Sequence, residues 1–113
     1  MSARPGVAVC VGGHCRRHAG FAELRAELGA ATDVIEVRCL ELCDSPVVVV
    51  GPGTAKPVVL RKLRTRKQRR DLVAVVGGAA LTDRLQQRRV RGKRRRAVLA
   101  ELARQSRRKP DRR

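Results

Sequence analysis

Two short apolar runs in this chain end on a cysteine, and each then reaches a second cysteine a few residues later. The first is Val7-Ala8-Val9-Cys10, followed by Val11-Gly12-Gly13-His14 and Cys15; the second is Val34-Ile35-Glu36-Val37-Arg38, followed by Cys39, Leu40-Glu41-Leu42 and Cys43. The pattern is C-x4-C, a spacer of 23 residues, then C-x3-C, and these are the 4 cysteines of the chain. If the four thiols serve one purpose, the fold must bring the ends of both runs together.

The residues between the pairs suggest how. Val7 to Cys10 reads as a buried strand, and Gly12-Gly13 permits a tight turn. From about Ala19 a helix is expected, with Phe21, Leu24 and Leu28 at i, i+3 and i+7 on one face, Glu23 and Glu27 on the other, and Gly29 as its stop. Phe21, the one aromatic residue, is expected in the core. Val34 to Arg38 reads as a second strand, with Ile35, Val37 and Cys39 facing one way. A strand, a helix and a strand at this spacing form a βαβ unit whose strands run parallel with a right-handed crossover. Parallel strands end at the same edge of a sheet, so both cysteine loops should open there.

The order continues with a four-valine strand, Pro46 to Val50, a turn at Gly51-Pro52-Gly53, and a strand from Pro57 to Leu60, paired most simply as a hairpin. Thr65 followed by Gln68 matches a capping box for a second helix, with Leu72, Val75 and Val76 leading to Gly77-Gly78 as its end. The reading is an α/β domain of order βαβββα over residues 1–78, with a basic C-terminal extension over 79–113. Within the extension, Leu81 to Arg89 suits a short helix or turn, and Arg91 to Arg96 is a basic run around Gly92. Ala97 to Gln105 suits a helix with Val98, Leu99 and Leu102 in one stripe. Arg107 to Arg113, with Pro110 and no apolar residue, is expected to be disordered.

At 113 residues the chain fits one domain. Its net charge of +17 is unevenly spread. Six basic and six acidic residues precede Arg61, whereas 21 basic and four acidic ones follow Leu60. Such asymmetry points to a neutral domain joined to a segment that meets a polyanion or an acidic surface. Arginine supplies 22 of the 27 basic residues, a bias that a GC-rich genome also produces. Val7 to Val11 is too short for the apolar region of a signal peptide, and Leu72 to Leu81 is too short to cross a bilayer. The expected location is cytoplasmic with no membrane association, where paired cysteines more often bind metal or do redox work than form disulfides.

Four thiolates suit zinc or an iron–sulfur cluster, because soft ligands select those centres. Structural zinc usually takes its pairs from tight knuckles. A [2Fe–2S] cluster has two irons, each needing two thiolates, which two loops can supply, and Gly12 and Gly13 would let backbone N–H groups approach the sulfides. Two disulfides or four separate buried thiols remain as alternatives at this point. His14 and His18 flank the first loop and are read as solvent-edge residues, His14 being placed to tune a nearby centre by hydrogen bonding or protonation. Nothing points to an enzyme: Gly12-Gly13 lacks the Lys-Ser/Thr ending of a phosphate loop, and Cys15 with His18 has no third group to orient it.

Cys10-x4-Cys15 and Cys39-x3-Cys43, each pair after a strand, with Leu40 and Asp44 flanking the second, resemble the thioredoxin-like [2Fe–2S] ferredoxins. They are similar also to the cluster-bearing small subunit of bacterial NADH dehydrogenase. Cys39 to Val50 and Lys56 to Leu60 read like the second ligand loop and hairpin of that family, and the likeness covers Val7 to Gly78. The resemblance implies a thioredoxin-like sandwich, with Cys10, Cys15, Cys39 and Cys43 holding a [2Fe–2S] cluster in a one-electron carrier. The basic extension would then steer a redox partner with an acidic surface. The reading from a different class is a nucleic-acid-binding protein with a structural zinc or redox-sensing centre, its tail contacting phosphates without regard to sequence. The lack of Trp and Tyr, with a single Phe, weighs against stacking on single strands.

Overall fold

The computed structural model of the chain describes residues 6–11, 20–38, 40, 47–52, 56–63 and 65–108. Among the described residues, four strands form one sheet: β1 (Val7–Cys10), β2 (Val34–Val37), β3 (Val47–Val50) and β4 (Val58–Arg61), accompanied by four helices: α1 (Phe21–Ala31), α2 (Arg66–Val76), α3 (Asp83–Gln86) and α4 (Gly92–Arg108). The order in the sheet is β2-β1-β3-β4. β1 runs parallel to β2, antiparallel to β3, and β3 and β4 form an antiparallel hairpin in which Val50 faces Val58.

Because successive strand residues face opposite sides, the apolar runs feed two cores. On one side Val7, Val9, Val48 and Leu60 meet Leu24 and Leu28 of α1, Leu72 of α2 and Leu85 of α3. On the other, Ala8, Cys10, Val37, Val47, Val49 and Val59 share a cluster with Leu40, Val90 and Val98, against which Leu99 and Leu102 of α4 pack. The protein is thus a three-layer α/β structure. All four residues of β1 are buried, as expected for a strand covered on both faces. Ile35 lies on the side of Val37 but near the start of the edge strand β2, and it is 52% exposed.

Local signals explain the helix limits. Gly20, with φ of 86°, turns the chain into α1. Gly29, expected as the stop, sits inside this helix, which continues through Ala30 and Ala31 to an extended Thr32. Two alanines carry the helix past one glycine, and its end falls instead at a β-branched residue. Phe21 is half-buried against the α1-side core. At α2 the expected capping box forms: Gln68 N–H donates to Thr65 Oγ1 at 3.1 Å, and Thr65 N–H donates to Gln68 Oε1 at 3.0 Å. Arg69, 9% exposed, reaches Glu27 of α1 at 3.2 Å and ties the two helices together. Thr82 caps α3, accepting from Leu85 N–H, while its hydroxyl donates to Asp71 Oδ2 at 2.9 Å. The Thr82 hydrogen bond, followed by that from Arg84 and the charges of Arg84 and Arg70, holds the Asp71 carboxyl below its usual pKa.

The chain beyond Gly78 enters both cores, through Leu85 on one side and Val90 and Val98 on the other. It also meets both edges of the sheet. Arg61 N–H donates to Arg88 O and Val90 N–H to Val59 O, so residues 88–90 lie along the outer edge of β4. α4 begins five residues before the expected Ala97, taking the basic run of Arg94 to Arg96 into its first turns. It also extends through Arg107 and Arg108, where disorder is expected; 109–113 lie outside the described residues. The stripe of buried Val98 and half-buried Leu99 and Leu102 supplies what the charged turns lack, an apolar face to bury.

Candidate metal centre

In the parallel register of β1 and β2, Cys10 stands opposite Val37. Val11, the next residue after Cys10, donates its N–H to Val37 O at 2.8 Å. The sequence then needs only Arg38 to reach Cys39. The two strands therefore end at one edge, as the βαβ reading requires, and Cys10 occupies that edge. Its side chain is 1% exposed and belongs to the α4-side core with Ala8, Val37, Leu40 and Val98. Leu40, one residue after Cys39, is fully buried in the same cluster.

Of the expected ligands, Cys10 is thus placed at the shared strand edge; Cys15, Cys39 and Cys43, together with His14 and His18, lie outside the described residues. Among the described residues no group of three or more His, Cys, Asp and Glu side chains comes together. The sequence holds three further thiols besides Cys10, all of them soft ligands. A buried position at a strand end suits a thiolate whose charge is taken up by metal, since an apolar shell limits solvent access to the centre.

One side chain that sequence reasoning passed over reaches this edge from α4. The Gln105 carboxamide accepts from Arg38 N–H at 2.9 Å and donates to Arg38 O at 3.3 Å. The same Nε2 donates to Glu101 Oε2 at 3.1 Å. Gln105 continues the stripe of Val98 and Leu102 at helical spacing, which is the signal that would have marked it: a polar residue on an apolar face, among arginines. The outer side of α4 differs sharply. Lys93, Arg94 and Arg96 are exposed, and among the described residues no carboxylate lies within ion-pair distance of them. Arg95, by contrast, turns inward to donate to Pro57 O at 2.9 Å.

No protein-family model, curated protein or solved structure matches the chain. No helix among the described residues is long and apolar enough to cross a membrane.

Proposed function

We propose that the chain is a small cytoplasmic one-electron carrier of the thioredoxin-like [2Fe–2S] type, with the cluster held by Cys10, Cys15, Cys39 and Cys43. The observation that carries this reading is the parallel register of Cys10 with Val37, two residues before Cys39. It gives the two cysteine loops a common edge of departure, as a ligand drawn from both loops demands. The order β2-β1-β3-β4, one parallel pair followed by an antiparallel hairpin, supports the thioredoxin-like assignment.

Bound there, a cluster of this type would supply one-electron redox chemistry. The protein's part is to bind and shield. The four cysteines give up their protons on ligation, and Ala8, Val37, Leu40 and Val47 keep water from the Cys10 side of the edge. The exposed cations of α4 would draw in an acidic partner at a rate that falls as salt rises.

The test is to purify the protein without oxygen, record its visible spectrum before and after dithionite, and assay iron, sulfide and zinc in the same sample. The expected result is broad visible bands that bleach on reduction, with about two irons and two sulfides per chain. A colourless protein with stoichiometric zinc overturns the carrier reading.

That outcome would favour the second reading, a nucleic-acid-binding protein with a structural zinc or redox-sensing centre. Its specific support is the cationic start of α4. The first turn holds no acidic residue, although a helix N-terminus favours negative charge. Phosphates along Lys93, Arg94 and Arg96 would relieve that repulsion, and arginine is suited to grip them bidentately.

A further inference from the structure

We infer that Gln105 is a positioning residue for the second ligand loop, and that α4 acts as a strap drawn across the sheet to hold it there. The inference rests on the ligand set proposed above and adds a residue outside it.

The strap has two anchors. At one, Arg95 donates to Pro57 O, just before β4; at the other, Gln105 pairs with Arg38, just after β2. β4 and β2 are the two outer strands, separated by three strand spacings or about 14 Å. β4 runs in the same direction as β2, so Pro57 and Arg38 also lie at opposite ends of those strands. The ten residues from Arg95 to Gln105 rise about 15 Å as helix, run diagonally over the sheet, and the Arg95 and Gln105 side chains supply the remaining reach. Between the anchors, Val98, Leu99 and Leu102 press on the core that contains Cys10. The helix therefore packs on the core that holds one cysteine and grips the backbone leading to another.

The grip is specific in its geometry. Val37 O points to β1, where it accepts from Val11 N–H, so the residue that follows the strand presents its N–H and C=O to the side away from β1. Gln105 meets both of those groups at once, as a neighbouring strand would. The Arg38 carbonyl belongs to the planar peptide unit that continues to Cys39 N. Holding that oxygen fixes the plane through which the chain enters Cys39. Alanine or methionine at 105 would leave α4 helical but free both Arg38 groups.

The test uses the full-length protein in wild-type, Gln105→Met and Gln105→Ala forms, the methionine keeping the length of the side chain without its hydrogen-bonding groups. Two readouts are taken on metal-free protein: amide exchange at Arg38 by NMR, and alkylation of Cys39 by iodoacetamide, located by tandem mass spectrometry. Loss of two hydrogen bonds should raise both rates by about tenfold in either variant. Amides of β1 and β3 should keep wild-type protection, which a general loss of stability would not allow. In iron-loaded protein the rate of iron release to a chelator should rise in parallel. Unchanged exchange at Arg38 and unchanged alkylation of Cys39 in Gln105→Met would overturn the inference, as would free-amide exchange of Arg38 in the wild type. A wild type that takes up no iron defeats the proposed function instead, and the two metal-free readouts still decide the role of Gln105.

Discussion

Cys10 and Val37 are direct partners in the parallel pairing of β1 and β2, and the N–H that follows Cys10 is bonded to the carbonyl of Val37. This single relationship ties the first cysteine loop to the second, since Val37 lies two residues before Cys39 in the chain. Changing Cys10 to Ser keeps the size of the side chain but buries a hydroxyl in an apolar core, which should cost about 1–3 kcal/mol of stability without altering the fold, and should remove a ligand. Iron bound after reconstitution should fall at least about tenfold, while far-ultraviolet circular dichroism stays as in the wild type. Retention of full iron in Cys10→Ser would take Cys10 out of the ligand set.

The start of β1 is a tight corner. Gly6 has φ of 66°, its carbonyl accepts from Gly51 N–H, and an added Cβ would come 3.0 Å from Asp33 O. Gly6→Ala combines a left-handed backbone with that close approach, and should destabilise the protein by about 1–3 kcal/mol. Urea unfolding provides the check, and an unchanged midpoint would show that the corner relaxes freely.

Asp71 gives the protein an acid-sensitive joint between α2 and α3. Its carboxyl accepts from Thr82 and pairs with Arg84 at 2.7 Å, and its pKa is lowered from 3.8. A carboxyl with a folded pKa below its unfolded one stabilises fully above the unfolded value, and the contribution is lost as pH falls through the folded value. The difference in stability between wild type and Asp71→Asn should therefore be constant near neutral pH and shrink below about pH 4. A difference that grew on acidification would contradict the arrangement.

The exposed cations of α4 call for a test that spares its inner face. Removing the helix outright would uncover Val98 and the Cys10 core, so a truncated protein would lose more than charge. The triple change Lys93→Ala, Arg94→Ala and Arg96→Ala touches neither Val98 nor Gln105. It should leave thermal stability equal or slightly higher, since the three cations oppose the helix dipole. Any binding to heparin or duplex DNA should weaken, with the log–log salt slope reduced by about 0.9 for each phosphate contact removed. Wild-type retention of the duplex affinity and slope would show that α4 makes no such contact.

What the sequence revealed, and what it hid, follows from how local each signal is. β1, the α1 stripe of Leu24 and Leu28, the valine hairpin and the Thr65–Gln68 box depend on neighbours a few residues apart, and each appears where the pattern puts it. Gly29 misled because a glycine signal is weak against the alanines that follow it. The role of the chain beyond Gly78 was hidden in a different way. Its charge suggests a solvated tail, whereas the contacts that order it are long-range: Val90 to Val59, Arg95 to Pro57, and Gln105 to Arg38, which is 67 residues away. Periodicity shows an apolar stripe but not the surface it will cover. The same holds for the centre itself. Spacing paired the cysteines in sequence, and the β1–β2 register adds the reason why two loops so far apart depart from one edge.

The most direct test of the central claim is electron paramagnetic resonance of anaerobically prepared protein after dithionite reduction, with spins counted against iron. A [2Fe–2S] carrier should give a single S = 1/2 signal, with about one spin for every two irons, that is absent from the oxidised sample. A reduced sample with no such signal and one zinc per chain would contradict it.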